Sequence, residues 1–264
     1  NNLSNKKTFI VLMIFAISAN SSWNIYNFRR NILLNLEKKY NCTFLILCPE
    51  NSYLNKIGLK KIIFKKIILK PRSIFFVNDI VLMFQYLYYF LNYKPNLYLA
   101  YTIKPNIYGS FISNILSIKT LNNFTGLGTL FNSNKSVSLI FQRILKLSTR
   151  KSNFIFFHNQ ENINYFIDNK ISSINKFILL PGSGVDLKVY NRSYFNTKLK
   201  KNSFIFFGRL MKEKGILEFL EVAKKIRKKN INVKFSVLGK IQENEKDVII
   251  SLKKSINENI IKFY

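Results

Sequence analysis

Acidic side chains are scarce: 13 Asp and Glu stand against 42 Lys and Arg in 264 residues, a formal net charge of +29. Histidine and tryptophan occur once each, cysteine twice, proline five times and glycine nine times. With one histidine, His158, and two cysteines, Cys42 and Cys48, no metal-ligand spacing exists. Six apart along a strand, the two thiols stand roughly 20 Å from each other and cannot bridge. Buried free thiols in a reducing compartment are expected. So little glycine and proline excludes a collagen-like or linker-rich chain. An apolar content of 48% excludes disorder, which pairs high charge with low hydrophobicity.

Long apolar runs are missing too. Thr8–Ala19 is mostly apolar but too short to span a bilayer as a helix. After Lys6-Lys7 it has the outline of a signal segment in a chain that opens on Asn1 and reads as processed or incomplete. It has equally the outline of a buried strand opening an α/β domain, the reading preferred here because a helix start follows at once.

The charge is uneven. Residues 1–150 hold 20 basic and 3 acidic side chains; residues 151–264 hold 22 and 10. An acid-poor first half attracts phosphate-rich partners: nucleic acid, anionic lipid or a nucleotide substrate. AT-rich coding drift toward Asn, Lys, Ile and Phe explains part of the excess without any binding role. No nucleic-acid-binding motif is present, so nucleic acid is not the expected partner.

Apolar runs alternate with amphipathic stretches. Strands are expected at Phe9–Ile17, Thr43–Cys48, Lys60–Lys70, Asn96–Tyr101, Thr120–Phe124, Asn153–Phe157 and Lys176–Leu180. Helices are expected at Asn24–Tyr40, Asn78–Tyr93, Ile107–Ile118, Ser136–Leu147 and Glu161–Asn169. In the first helix Ile25, Phe28, Ile32, Leu33 and Leu36 form the apolar face. This alternation implies parallel strands joined by right-handed crossovers, an α/β doubly wound domain over residues 1–190. A polar linker follows at 191–203. Residues 204–264 then read β-α-β-α-β, the first half of a second Rossmann-type domain.

Ligands of open α/β sheets bind beyond the carboxyl ends of the strands. The loop Phe207-Gly208-Arg209-Leu210-Met211-Lys212-Glu213-Lys214-Gly215 is the most informative there. A strand feeds a glycine, an Arg, a Lys and a second glycine before a helix. The helix N-terminus offers free N–H groups, Arg209 binds two oxygens at once and Lys214 adds a point charge. That suits a diphosphate; an ordinary strand-to-helix loop with two exposed cations has the same pattern. Thr125-Gly126-Leu127-Gly128-Thr129 and Pro181-Gly182-Ser183-Gly184-Val185-Asp186 are glycine loops open to the same two readings. His158, before Asn159 at a strand end, is a proton shuttle, a ligand donor or a plain polar residue. No DxD pair occurs, so no diphosphate metal site of that kind is expected.

Read in order, SWNIYNFRRNIL (22–33), YTIKPNIYGS (101–110), FTGLGTLF (124–131), FFHNQENINYF (156–166), LPGSGVDL (180–187) and FFGRLMKEKGILEFLEVA (206–223) resemble the retaining family-four glycosyltransferases of the GT-B fold. The resemblance implies two Rossmann-like domains and transfer of a hexose or N-acetylhexosamine from a UDP-sugar to a lipid-linked or glycan acceptor. It implies retained anomeric configuration, no metal, no cofactor, and a peripheral place on the inner face of the cytoplasmic membrane. Arg209, Lys214 and Gly208 match the donor-diphosphate loop. Ser22, Trp23, Asn24, Thr102, Lys104, Gly126, Gly128, His158, Asn159, Gly182 and Gly184 match loops facing the cleft. His158 stands where the family more often has Gln, and no protein nucleophile is nominated. The family's paired Glu motif has no counterpart in Glu243, Glu245 or Glu258. The chain therefore reads as a fragment whose donor domain is half built and which is inactive alone. The rival readings are a non-catalytic remnant, a basic protein that binds nucleic acid or a membrane surface, and a sugar-nucleotide epimerase. The epimerase calls for a G-x-x-G-x-x-G turn after the first strand, where this chain has Ser-Ala-Asn-Ser-Ser-Trp.

Overall fold

Strand β1, Ile14–Ser18, is the third of seven in the first sheet and is paired along both of its edges. The computed structural model describes residues 13–69, 76–127, 135–191, 193, 202–229, 232–241 and 245–264. The signal-like residues before Met13, most of the expected linker, Gly128 and Glu243 lie outside them. The chain divides into two compact units, 1–190 and 191–264.

The first unit runs β1, α1 (Ser22–Tyr40), β2 (Thr43–Cys48), β3 (Ile62–Lys66), α2 (Phe76–Tyr93), β4 (Leu97–Tyr101), α3 (Ser110–Ile115), β5 (Lys119–Phe124), α4 (Lys135–Thr149), β6 (Phe154–Phe157), α5 (Gln160–Asp168) and β7 (Phe177–Leu179). Its seven strands are all parallel, in the order β3-β2-β1-β4-β5-β6-β7.

Alternation along the strands divides two apolar layers between the sheet faces. Phe15, Ile17, Phe44 and Ile46 meet Ile25 and Leu33 of α1 on one face. Ala16, Leu45 and Leu47 meet Leu82, Tyr86 and Phe90 of α2 on the other. Tyr98 joins Tyr86 and Phe90 in edge-on aromatic contacts, with ring centroids 6.1 and 5.0 Å away. Both cysteines are buried free thiols. Burial pushes the Cys48 thiol up to about 12, so it is inert at neutral pH.

The expected helix at Ile107–Ile118 is shorter and begins differently. A wide π-helical turn, Pro105–Gly109, precedes α3. A Cβ on Gly109 would come within 2.0 Å of the Tyr98 hydroxyl oxygen, so only glycine lets this turn lie on β4. The Tyr98 hydroxyl donates to the Pro105 carbonyl at 3.1 Å.

The second unit runs β8 (Ser203–Phe207), α6 (Ile216–Lys228), β9 (Lys234–Leu238), α7 (Lys246–Asn257) and β10 (Lys262–Phe263). Its three strands are parallel, ordered β10-β9-β8. Leu220, Val248 and Leu252 of the two helices pack with Phe235 and Val237. On the opposite sheet face Ile205, Phe207 and Leu238 are 55%, 77% and 48% exposed.

Candidate active site

The turn after β1 holds only Ala19, Asn20 and Ser21, because α1 begins at Ser22. Ser21 caps the helix, its hydroxyl accepting from the Asn24 N–H at 3.1 Å. Ser22, Trp23 and Asn24, expected in a cleft loop, are therefore the first turn of a helix. The Ser22 N–H and hydroxyl both donate to the Glu50 carboxylate at 2.6 Å, and the Ser52 N–H donates to its second oxygen at 2.8 Å. The chain's own carboxylate thus occupies the anion slot at this helix start. Burial pushes the Glu50 carboxyl up, but the hydrogen bonds from Ser22 and Ser52 outweigh it and hold it below its usual value. Trp23 is 45% exposed and meets the ring of Phe28 edge-on at 5.5 Å.

After β4 the chain turns at Thr102, whose φ is 66° and whose buried hydroxyl oxygen has no partner among the described residues. Lys104, expected in a cleft-facing loop, has its ammonium 2.5 Å from the Asp79 carboxylate of α2. Asn106 is a strut, donating to the carbonyls of Thr102 and Asn123 and accepting from Asn122 at 2.9 Å. Gly126 faces open space.

After β6, His158 has a buried Nε2 without a hydrogen-bond partner among the described residues. Burial, then the charge of Arg29, pulls its imidazole below the usual value, so it is neutral at pH 7. Asn159 caps α5, accepting from the Asn162 N–H at 2.9 Å. Gly182 and Gly184 take φ of 107° and 73°, which lets the loop after β7 fold back on α1. Ser183 accepts from Arg29 Nη1 at 3.2 Å, and Asp186 accepts from Asn31 at 3.0 Å. Arg29, Glu50 and Asp186 were not singled out in the sequence. The signal for Arg29 was its place between Ile25 and Leu33 on the buried stripe of α1.

In the second unit Gly208, at φ 144°, closes β8 with its Cα side open. The side chains of Arg209 and Lys214 are exposed and make no hydrogen bond or ion pair among the described residues. Gly215, at φ 78°, begins α6 with no side chain capping its N–H groups. Two mobile-stemmed cations and a bare helix start therefore adjoin a glycine that leaves the backbone approachable. The loop is braced from β9: a Cβ on Gly239 would come within 1.8 Å of the Gly208 carbonyl oxygen. Glu245 accepts from the Lys212 N–H at 3.1 Å.

Residues 191–263 match the family described as glycosyl transferases group 1. No curated protein sequence matches the chain. Among solved structures, a glycosyltransferase from Rickettsia africae is similar at 13% identity and TM-score 0.63, covering 96% of this chain and 68% of its own. Anabaena HepE in complex with UDP and glucose is similar at 17% identity and TM-score 0.63, covering 95% and 68%. A UDP-N-acetylglucosamine 2-epimerase from Rickettsia bellii is similar at 12% identity and TM-score 0.62, covering 96% and 68%. An epimerase can thus share this fold, and a missing glycine turn after β1 separates the chain only from dinucleotide-binding epimerases. The match over 191–263 does favour one class: that segment is similar to the glycosyl transferases group 1 family, and the likeness to the solved structures shows a GT-B-like fold for the chain.

Proposed function

We propose that the chain moves a hexose or N-acetylhexosamine from a UDP-sugar to a lipid-linked or glycan acceptor, with retention, without a metal, and at the inner face of the cytoplasmic membrane. One observation carries the donor half: the side chains of Arg209 and Lys214 stand exposed, unpaired among the described residues, beside Gly208 and the uncapped start of α6. Cleavage of the sugar–phosphate bond leaves negative charge on the departing diphosphate. Arg209, Lys214 and the helix N–H groups stabilise that charge more in the transition state than in the ground state, which is what accelerates the step. In same-face transfer the departing phosphate takes the acceptor's proton, so the chain supplies no nucleophile. The likeness to a UDP complex of HepE supports the choice of nucleotide.

Calorimetry with UDP tests the donor half, with Arg209→Ala and Lys214→Ala as variants. Each loses a charge-assisted contact and should weaken UDP by about tenfold or more. Equal affinity in wild type and both variants overturns the assignment. Product analysis by NMR on UDP-N-acetylglucosamine distinguishes transfer from epimerisation, since only an epimerase returns the C2 epimer without an acceptor.

A further inference from the structure

Arg29 is 3% exposed, and its Nε is sealed from water with no hydrogen-bond partner among the described residues. Its guanidinium stacks on the ring of Tyr101, 4.2 Å from the centroid, and spends one N–H on Ser183. No carboxylate pairs with it among the described residues. Tyr101 does not balance the charge, because burial pushes its phenol up and keeps it neutral. His158, which feels the charge of Arg29, is neutral as well. The acid in the adjoining loop, Asp186, is held by Asn31 and the Lys188 N–H. An unpaired buried guanidinium is expensive, and an apolar pair would fasten the loop to α1 better. Neighbouring positions repeat the deficit: Thr102 Oγ1, His158 Nε2 and Asn24 Oδ1 are also buried without partners. All four residues stand at the carboxyl edge of one sheet, beyond β1, β4 and β6.

We propose that Arg29 anchors an oxyanion, a phosphate or carboxylate borne by the molecule that the first unit takes up, at the carboxyl ends of β1 and β4. The proposal rests on the transfer proposed above, with the donor loop in the second unit and the first unit, residues 1–190, taken as the side that receives the acceptor. Arg29 offers its Nε–H and the remainder of its fork, Thr102 a hydroxyl, and His158 an imidazole nitrogen able to turn donor. The loop 181–186 covers the site and is tied to α1 through Ser183 and Asp186, so release of two side-chain bonds admits the anion.

The single histidine makes the test specific. Inorganic phosphate and, separately, acetate are titrated at constant ionic strength while the His158 ring resonances are followed by NMR. A saturable shift with phosphate, acetate or both supports the site, and the preference names the source of the charge. Arg29→Gln should weaken binding at least tenfold, Arg29→Lys several-fold, and Ser183→Ala by less than threefold. Should Arg29→Gln fail to fold, Arg29→Lys decides alone. No saturable shift, equal affinity in the folded Arg29 variants, or a Ser183→Ala loss as large as that of Arg29→Gln overturns the proposal. UDP calorimetry in parallel keeps the questions separate: phosphate binding without UDP binding sinks the donor reading and leaves this one standing.

Discussion

The Lys104 ammonium lies 2.5 Å from one oxygen of Asp79, while the Tyr108 hydroxyl donates to the other at 2.9 Å. Both charged side chains are about nine-tenths buried. Removing one partner strands the other, which costs about 3 kcal/mol or more, whereas removing both together costs less. Urea unfolding should therefore find Lys104→Met much less stable than Lys104→Met/Asp79→Leu. Equal losses would mean that the pair is not coupled.

Glu50 gives a pH signature. Its carboxyl is held low in the folded chain, so its contribution is complete above the unfolded value of about 4.3 and fades as pH falls through the folded one. Glu50→Gln should cost about 1–2 kcal/mol at pH 7, the worth of charge-assisted hydrogen bonds, and almost nothing near pH 2. A gap between variant and wild type that persists unchanged into acid would contradict this account.

Gly239 touches no proposed ligand. Yet a methyl group there collides with the Gly208 carbonyl, so Gly239→Ala should push the Arg209 loop out of place. UDP affinity should drop by an order of magnitude or more in a folded variant, since a misplacement of about 1 Å is already costly. Gly126→Ala, facing open space, should leave UDP binding alone.

The membrane reading also has a place to fail. No helix among the described residues is long and apolar enough to cross a bilayer. Helix α2 nonetheless exposes Val77, Ile80, Phe84, Tyr88 and Leu91 along one stripe, with Lys65 set against Tyr93 beside it. Such a stripe with flanking cations lies on an anionic surface without spanning it. Binding to anionic vesicles should weaken toward molar salt, where the Debye length is about 3 Å, and Phe84→Glu should weaken it at any salt. Tighter binding to random duplex DNA would favour a nucleic-acid partner.

Much of the architecture was legible because its signals are local. The apolar run Thr43–Cys48 coincides with β2, and Ile216 opens α6 directly after Gly215. The misreadings share a cause: they hinge on partners distant in sequence. Nothing near Lys104 announces Asp79, and nothing near Ser22 announces Glu50. In α1 the assumed apolar face included Phe28 and Ile32, which are 38% and 43% exposed, while the buried stripe runs Ser22, Ile25, Arg29 and Leu33. Treating arginine as exterior by default rotated that helix away from its charged residue. At Pro105–Gly109 periodicity failed because a π turn follows neither 3.6 nor 2.

The strand order has a consequence for synthesis. After β2 and β3 have paired on one side of β1, the other side of that apolar strand waits for Leu97–Tyr101 to emerge. At about 5–20 residues per second, the ribosome leaves this edge unsatisfied for some seconds. During that interval Phe15, Ala16 and Ile17 are a template for any extended segment nearby, and the nascent chain is most exposed to misassembly before β4 closes the gap.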